Sequence, residues 1–389
     1  ASQAHGGPSD GGHAAPGGAL GRDLQVAAND AAQVVAGLGR YLRGELAPLA
    51  PAREGVGPSR HARWVRRMLG TSIDTAEVYQ WARQELVDVV AAQDALAAEV
   101  LGTGARAGDL DAHLRADPST GMSPEDFPRW AQGVADEAWD AVVGHPLDVP
   151  DGLGRPTVLL DTPGGGVHYE EPEPSRSLPG RVLRSFAVGD ETVWPWVERT
   201  TVLHESVPGH HAHSGAQSLD PSLTLWQRHL GKVPGCNEGW ALYAERLAIE
   251  TGLLSKPADR FGWLAARRWR IVRVLVDLGV HSWLPVPAEI AALPGASGES
   301  QWDRSTVEAA LRAHTVLGEG FLQFEVDKQL GWPAQGLAYV LGERVWLEGR
   351  ERAQHSARAA GEELDLRAFH NRGIALGSVG LDLLARGLA

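Results

Sequence analysis

Cysteine is almost missing: 389 residues hold one, Cys236. A lone thiol excludes an internal disulfide framework and any cluster of thiolate ligands. Its plain reading is a small buried group, and its nearness to Glu238 makes a place in a site lining the alternative. No run of eighteen apolar residues occurs, so no segment is expected to span a membrane. Positive charge is in deficit, with a net charge of −13, which argues against an electrostatic grip on nucleic acid or on an anionic membrane. There is no internal repeat and no phosphate-binding glycine loop. A Gly-x-Ser-x-Gly elbow is also absent, which argues against a serine hydrolase built on it. Residues 1–22 lack the basic start and apolar core of a signal peptide. The chain starts at Ala1, so a removed leader stays open, and a cytoplasmic location is the expectation.

What is present is ordinary for a globular protein: 43% hydrophobic and 22% charged residues, with an unusual 14 Trp. The length suffices for one large core. Residues 1–22, mostly Gly, Ala, Ser and His, are expected to be a flexible tail that leaves His5 and His13 outside any site. Helical spacing of apolar residues then predicts a wall of helices over residues 23–150: 23–49 closed by Pro48, 60–69, 74–101, and one opened by Ser123-Pro124-Glu125-Asp126. Across 151–200 the pattern turns to short strands, 157–160 and 182–188, around a Gly/Pro-rich loop. That sheet either lines a cleft with its edge or packs under the helices. Residues 201–389 return to helices, including 263–283, apolar nearly all round, then 303–317, 334–360, 365–373 and 377–388. The fold class expected is mainly α, one large domain over 23–389 with a small accessory sheet.

The most informative stretch is Thr201-Val202-Leu203-His204-Glu205-Ser206-Val207-Pro208-Gly209-His210-His211. A His-Glu pair followed by His is the pattern of a zinc hydrolase helix, with imidazoles as ligands and the Glu as base for an activated water. The spacing is unusual, because ligands four residues apart lie about 6 Å apart along the axis. His210 lies six residues on, roughly 9 Å along a regular helix and on the wrong side. His211 faces correctly but is roughly 10 Å away. Pro208-Gly209 can break the helix and widen the turn, bringing a later imidazole back over His204. A second stretch, Cys236-Asn237-Glu238-Gly239-Trp240-Ala241-Leu242-Tyr243-Ala244-Glu245, reads as a helix start with Asn237 as N-cap. Glu238 is either a third ligand or a first-turn acid favoured by the helix dipole. Two imidazoles and a carboxylate would leave one position open, as in catalytic zinc sites. Further on, Arg273, Asp277 and His281 fall on one face of the buried helix. They either face the cleft, with His281 touching substrate, or form an internal Arg273–Asp277 pair that locks helices.

Together, His-Glu-Ser-Val-Pro-Gly-His-His and Glu-Gly-Trp-Ala-Leu-Tyr-Ala-Glu resemble the bacterial domain-of-unknown-function family 885, whose members are placed among gluzincin-type zinc metallopeptidases. The likeness runs from about residue 55 to the C-terminus and is most specific over 204–281. It implies zinc on His204, His210 and Glu238, since in related peptidases a Gly precedes the second ligand; His211 is the runner-up and otherwise a substrate-facing residue. It implies Glu205 as general base. The Gln335-x-x-x-Tyr339-x-x-Gly342 run makes Tyr339, with His281, the candidate for steadying an oxyanion, and Arg273 and Asp277 candidates for binding substrate. The activity expected is zinc-dependent hydrolysis of a peptide or amide bond. The alternatives are a metal-dependent enzyme on a small biosynthetic intermediate and a non-catalytic helical metal-binding protein.

Overall fold

The computed structural model describes residues 18–51, 53–161, 166–187, 189, 191–316 and 318–389. These fall into two compact units, Ala1–Arg53 and Glu54–Ala389. In the first, a helix over Gly18–Tyr41 runs into a π turn, Leu42–Leu46, and a 3-10 turn, Ala47–Leu49, that holds Pro48. This helix therefore starts inside the stretch read as tail. His5 and His13 lie outside the described residues.

The second unit is mainly α. Its axis is the helix Pro257–His281, buried along most of its length as its sequence requires. Around it pack Thr75–Leu101, Pro195–Glu205 and Arg304–His314. Local chemistry sets the helix starts. The Asp74 side chain accepts from the amides of Ala76 and Glu77, Asp303 from Thr306, and Asp365 from Ala368. Ser123 caps a 3-10 turn that leads into Phe127–Val142. Among the described residues, two helices of nine residues or more, Ala107–Arg115 and the longer Glu319–Gly331, fall where no element was expected. Leu322 and Val326 point to the core, while Phe321 and Phe324 line a cleft on the other side. With apolar residues on two faces there is no single stripe for periodicity to reveal.

The sheet has three strands, β1 Thr157–Leu160, β2 Gly166–Glu170 and β3 Arg181–Ser185, in the order β1-β3-β2. β1 runs parallel to β3, pairing Val158 with Val182, and β2 antiparallel, pairing His168 with Leu183. Both readings of this sheet hold at once. Val158 and Val182 pack with Phe127, Val134, Val202 and Leu203, so the sheet sits under the helices. The outer side of β1 is covered by Gln132, which accepts from the Val158 amide. β2 lies at the opposite edge, and Gly166 to Tyr169 line the cleft.

Candidate metal centre

The helix that carries His204 ends one residue later, at Glu205. The chain then doubles back through Pro208 and Gly209 and continues from His210 into a π turn, His211–Gly215. A Cβ on Gly209 would lie 1.8 Å from the His204 carbonyl oxygen, so only glycine lets the chain fold this tightly onto the helix end. The result is the widened turn anticipated from Pro208-Gly209. The imidazoles of His204 and His210 come edge to face, with ring centres 4.8 Å apart.

Glu238 comes from the helix Pro234–Glu250, which starts earlier than expected, with Val233 and not Asn237 at its N-cap. This helix lies against Ala338–Ala359 through two glycines: a Cβ on Gly239 would meet the Cα of Gly342 at 2.4 Å. That close approach puts Glu238 and Tyr339 in one cleft. Oε2 of Glu238 stands 3.3 Å from Nε2 of His204 and 3.5 Å from Nε2 of His210. Ligand atoms at about 2.1 Å from a tetrahedral cation are themselves roughly 3.4 Å apart. Three donors of the right chemistry are thus spaced as such a cation requires, all within 4.8 Å of one another.

Behind the cluster, Glu245 takes a hydrogen bond of 2.7 Å from Nδ1 of His204. Thr200 donates to Glu245 at 2.7 Å, and Arg270 pairs with it at 2.9 Å. A carboxylate on the far nitrogen of a ligating histidine fixes its tautomer and orientation. Burial opposes charge on His204, but Glu238 and Glu245 outweigh it and raise its pKa to about 9. Burial likewise opposes the Glu238 anion, but the two histidines hold its carboxyl well below the usual range. The site therefore collects positive charge between the imidazoles and the carboxylate. Glu205 lines the same cleft, and its carboxylate has no hydrogen-bond or ion-pair partner among the described residues. Tyr339 stacks on His204 at 6.2 Å, and burial, then the Glu238 charge, push its phenol up to about 12. The cleft encloses about 830 Å³.

Several residues singled out from sequence stand elsewhere. Nε2 of His211 donates to the Gly154 carbonyl at 2.9 Å and Nδ1 accepts from Tyr169 at 2.8 Å, so neither nitrogen is left for a ligand or substrate. Burial lowers its pKa to about 4. Arg273, Asp277 and His281 do not line the cleft, and no Arg273–Asp277 pair forms. Arg273 pairs with Glu325 at 3.0 Å, and His281 donates to the Gln329 carbonyl. Asp277 accepts from His61 at 2.7 Å and from the Ala334 amide at 2.7 Å. Ser282, His61 and Asp277 stand in the row of a serine hydrolase triad, but away from the cleft, where they tie Pro58–Leu69 to Pro257–His281. Cys236 is buried behind the site, bonded to the Gly377 carbonyl. Sequence reasoning missed Glu245 and Lys328. Glu245, one helical repeat of seven after Glu238, was the detectable one.

A family model described as "Bacterial protein of unknown function (DUF885)" matches residues 4–388, and the chain belongs to that family. None of the curated proteins matches it. Among solved structures, a putative lipoprotein from Colwellia psychrerythraea superposes with a TM-score of 0.78 at 22% identity, over 95% of this chain and 61% of that one. A putative lipoprotein of unknown function from Shewanella oneidensis gives 0.66 at 15% identity, over 94% and 65%. The chain thus spans less than two thirds of either, and the likeness is one of fold. Both are described as lipoproteins, which corrects the cytoplasmic expectation. Among the described residues, no helix is long and apolar enough to cross a membrane.

Proposed function

We propose that this DUF885 member is a zinc-dependent hydrolase of a peptide or amide bond, related in its site to the gluzincins. One observation carries the reading: two imidazole nitrogens converge on one Glu238 oxygen at 3.3 and 3.5 Å, and Glu205, unpartnered, opens into the same cleft. His204, His210 and Glu238 would hold the zinc, which when bound supplies a Lewis acid and lowers the pKa of a water. Glu205 takes a proton from the attacking water, whose oxygen joins the carbonyl carbon. As the C–N bond breaks, Glu205 returns the proton to the leaving amine. Tyr339 keeps its proton at neutral pH and donates it as a hydrogen bond to the oxyanion.

The test is metal analysis of the purified protein followed by a screen of peptides and amides. Glu205→Gln keeps the shape of the side chain and removes its basicity. The variant is expected to hold the metal and lose at least about 10²-fold in turnover. Near-normal turnover with full zinc would sink the mechanism. A non-catalytic metal-binding protein would show no turnover in either form.

A further inference from the structure

The cleft lining mixes both signs: Glu171, Glu198, Glu205 and Glu238 stand among five basic side chains. Arg115, Arg184, Lys232, Arg270 and Lys328 line it. Four of these have a carboxylate of their own. Arg115 pairs with Asp111 at 3.0 Å, Arg184 with Glu198 at 2.8 Å, Arg270 with Glu245 at 2.9 Å, and Lys232 with Glu171. Lys328 differs. Its nearest carboxylate, Glu325, is engaged by the fully buried Arg273 at 3.0 Å and by the Gln329 amide at 2.6 Å. The Lys328 ammonium stands 3.7 Å from the remaining oxygen of Glu325, beyond hydrogen-bond length, with its side chain only 16% exposed. Two cations thus share the nearest anion, and Glu238, the other carboxylate that acts on both, belongs to the cluster with His204 and His210. An ammonium has three donors to place, and burying it without a full partner is costly.

Its surroundings say what the missing partner looks like. Phe321, Phe324 and Lys328, at i, i+3 and i+7 of one helix, all line the cleft, and Trp269 lies edge to face with Phe321 at 5.5 Å. Trp332 lines it one turn beyond Lys328. On the other side, Arg273 donates to Gln335, and Gln335 donates to Tyr339 at 3.2 Å, so the lysine stands a short chain of contacts from the metal cluster. A group that satisfies this wall carries an anion next to an apolar side chain. We propose that Lys328 binds the free carboxylate of the substrate, with the adjoining apolar side chain held by Phe321 and Phe324, so that the substrate is a peptide or acylated amino acid ending in an apolar residue. Burial, then Arg273, lower the lysine's pKa to about 8, in keeping with a cation short of a counter-ion. The placement of this group relative to the scissile bond rests on the hydrolase reading. Its binding does not.

The experiment is calorimetry on the zinc-loaded protein with N-acetylphenylalanine and its neutral amide. The acid is expected to bind at least about tenfold tighter, the scale of a charge-assisted hydrogen bond. Lys328→Met should reduce the acid to the affinity of the amide, and Lys328→Arg should retain most of the preference. Equal binding of the two compounds, or no binding of either, overturns the proposal. So does a preference that survives in Lys328→Met, which would assign the carboxylate to the metal or another cation. Turnover of an acylated dipeptide ending in Phe, measured beside its C-terminal amide, separates this from the hydrolase reading. Acid-selective binding without cleavage leaves Lys328 as assigned and refutes the hydrolase. Cleavage of both at equal rates does the reverse.

Discussion

At the scale of the residue, two adjacent histidines have opposite fates. His210 has Nε2 free to turn towards Glu238, whereas both nitrogens of His211 are spent on Tyr169 and Gly154. His210→Ala is therefore expected to abolish tight zinc binding in a metal titration, and His211→Ala to leave it nearly intact. The reverse pattern would hand the ligand role to His211. Glu245 acts one step further back, because it orients His204 without reaching the cluster. Glu245→Gln should keep the metal but weaken it by about 10–100-fold, the usual cost of a lost partner behind a ligating histidine. An affinity equal to the parent's in competition with a chelator would show that Thr200 and Arg270 hold the carboxylate for packing alone.

At the scale of the element, the site depends on helices meeting more closely than side chains normally allow. Gly239 lies against Gly342, next to Glu238 on one helix and one turn from Tyr339 on the other. Gly239→Ala would force the two backbones apart. Overpacking of this kind costs about 1–3 kcal/mol. A lower melting temperature and weaker zinc binding are expected together. A variant as stable as the parent, with parental zinc affinity, would mean that the helices separate without moving Glu238. The packing of these helices also explains what was legible. The helices with caps and one apolar stripe were readable because capping and periodicity are local. Glu319–Gly331 was not, since it divides its apolar residues between core and cleft.

At the scale of the whole molecule, buried neutral histidines set the acid limit. Nδ1 of His370 donates to the Pro146 carbonyl, and Nε2 accepts from Tyr243, both at 2.9 Å. Burial lowers its pKa to about 4. His314 accepts from Arg268 and is lowered to about 3 by burial and by that charge. The unfolded chain takes up these protons near pH 6.5, before the folded chain does. Stability is thus full above about pH 6.5 and falls as the pH drops towards 4, by up to about 1.4 kcal/mol per pH unit for each such histidine. His370→Leu should give a shallower slope over this window in denaturant titrations. An unchanged slope would mean that His370 is already protonated in the fold.

The sequence by itself determined the mainly α class, the helix break at Pro208-Gly209 and the candidate donors His204, Glu205, His210 and Glu238, because each is written in neighbouring residues or in a short period. Only the tertiary structure set Nε2 of His210 beside Glu238 and gave both nitrogens of His211 other partners, turned Arg273, Asp277 and His281 away from the cleft, and set Glu245 beside His204 and Lys328 near Arg273. Those outcomes depend on which hydrogen-bond partner reaches a buried polar group first, and the partners Gly154, Tyr169, His61 and Glu325 come from distant segments. No local pattern records such a meeting, since it is the packing of the helices that brings the partners within bonding distance.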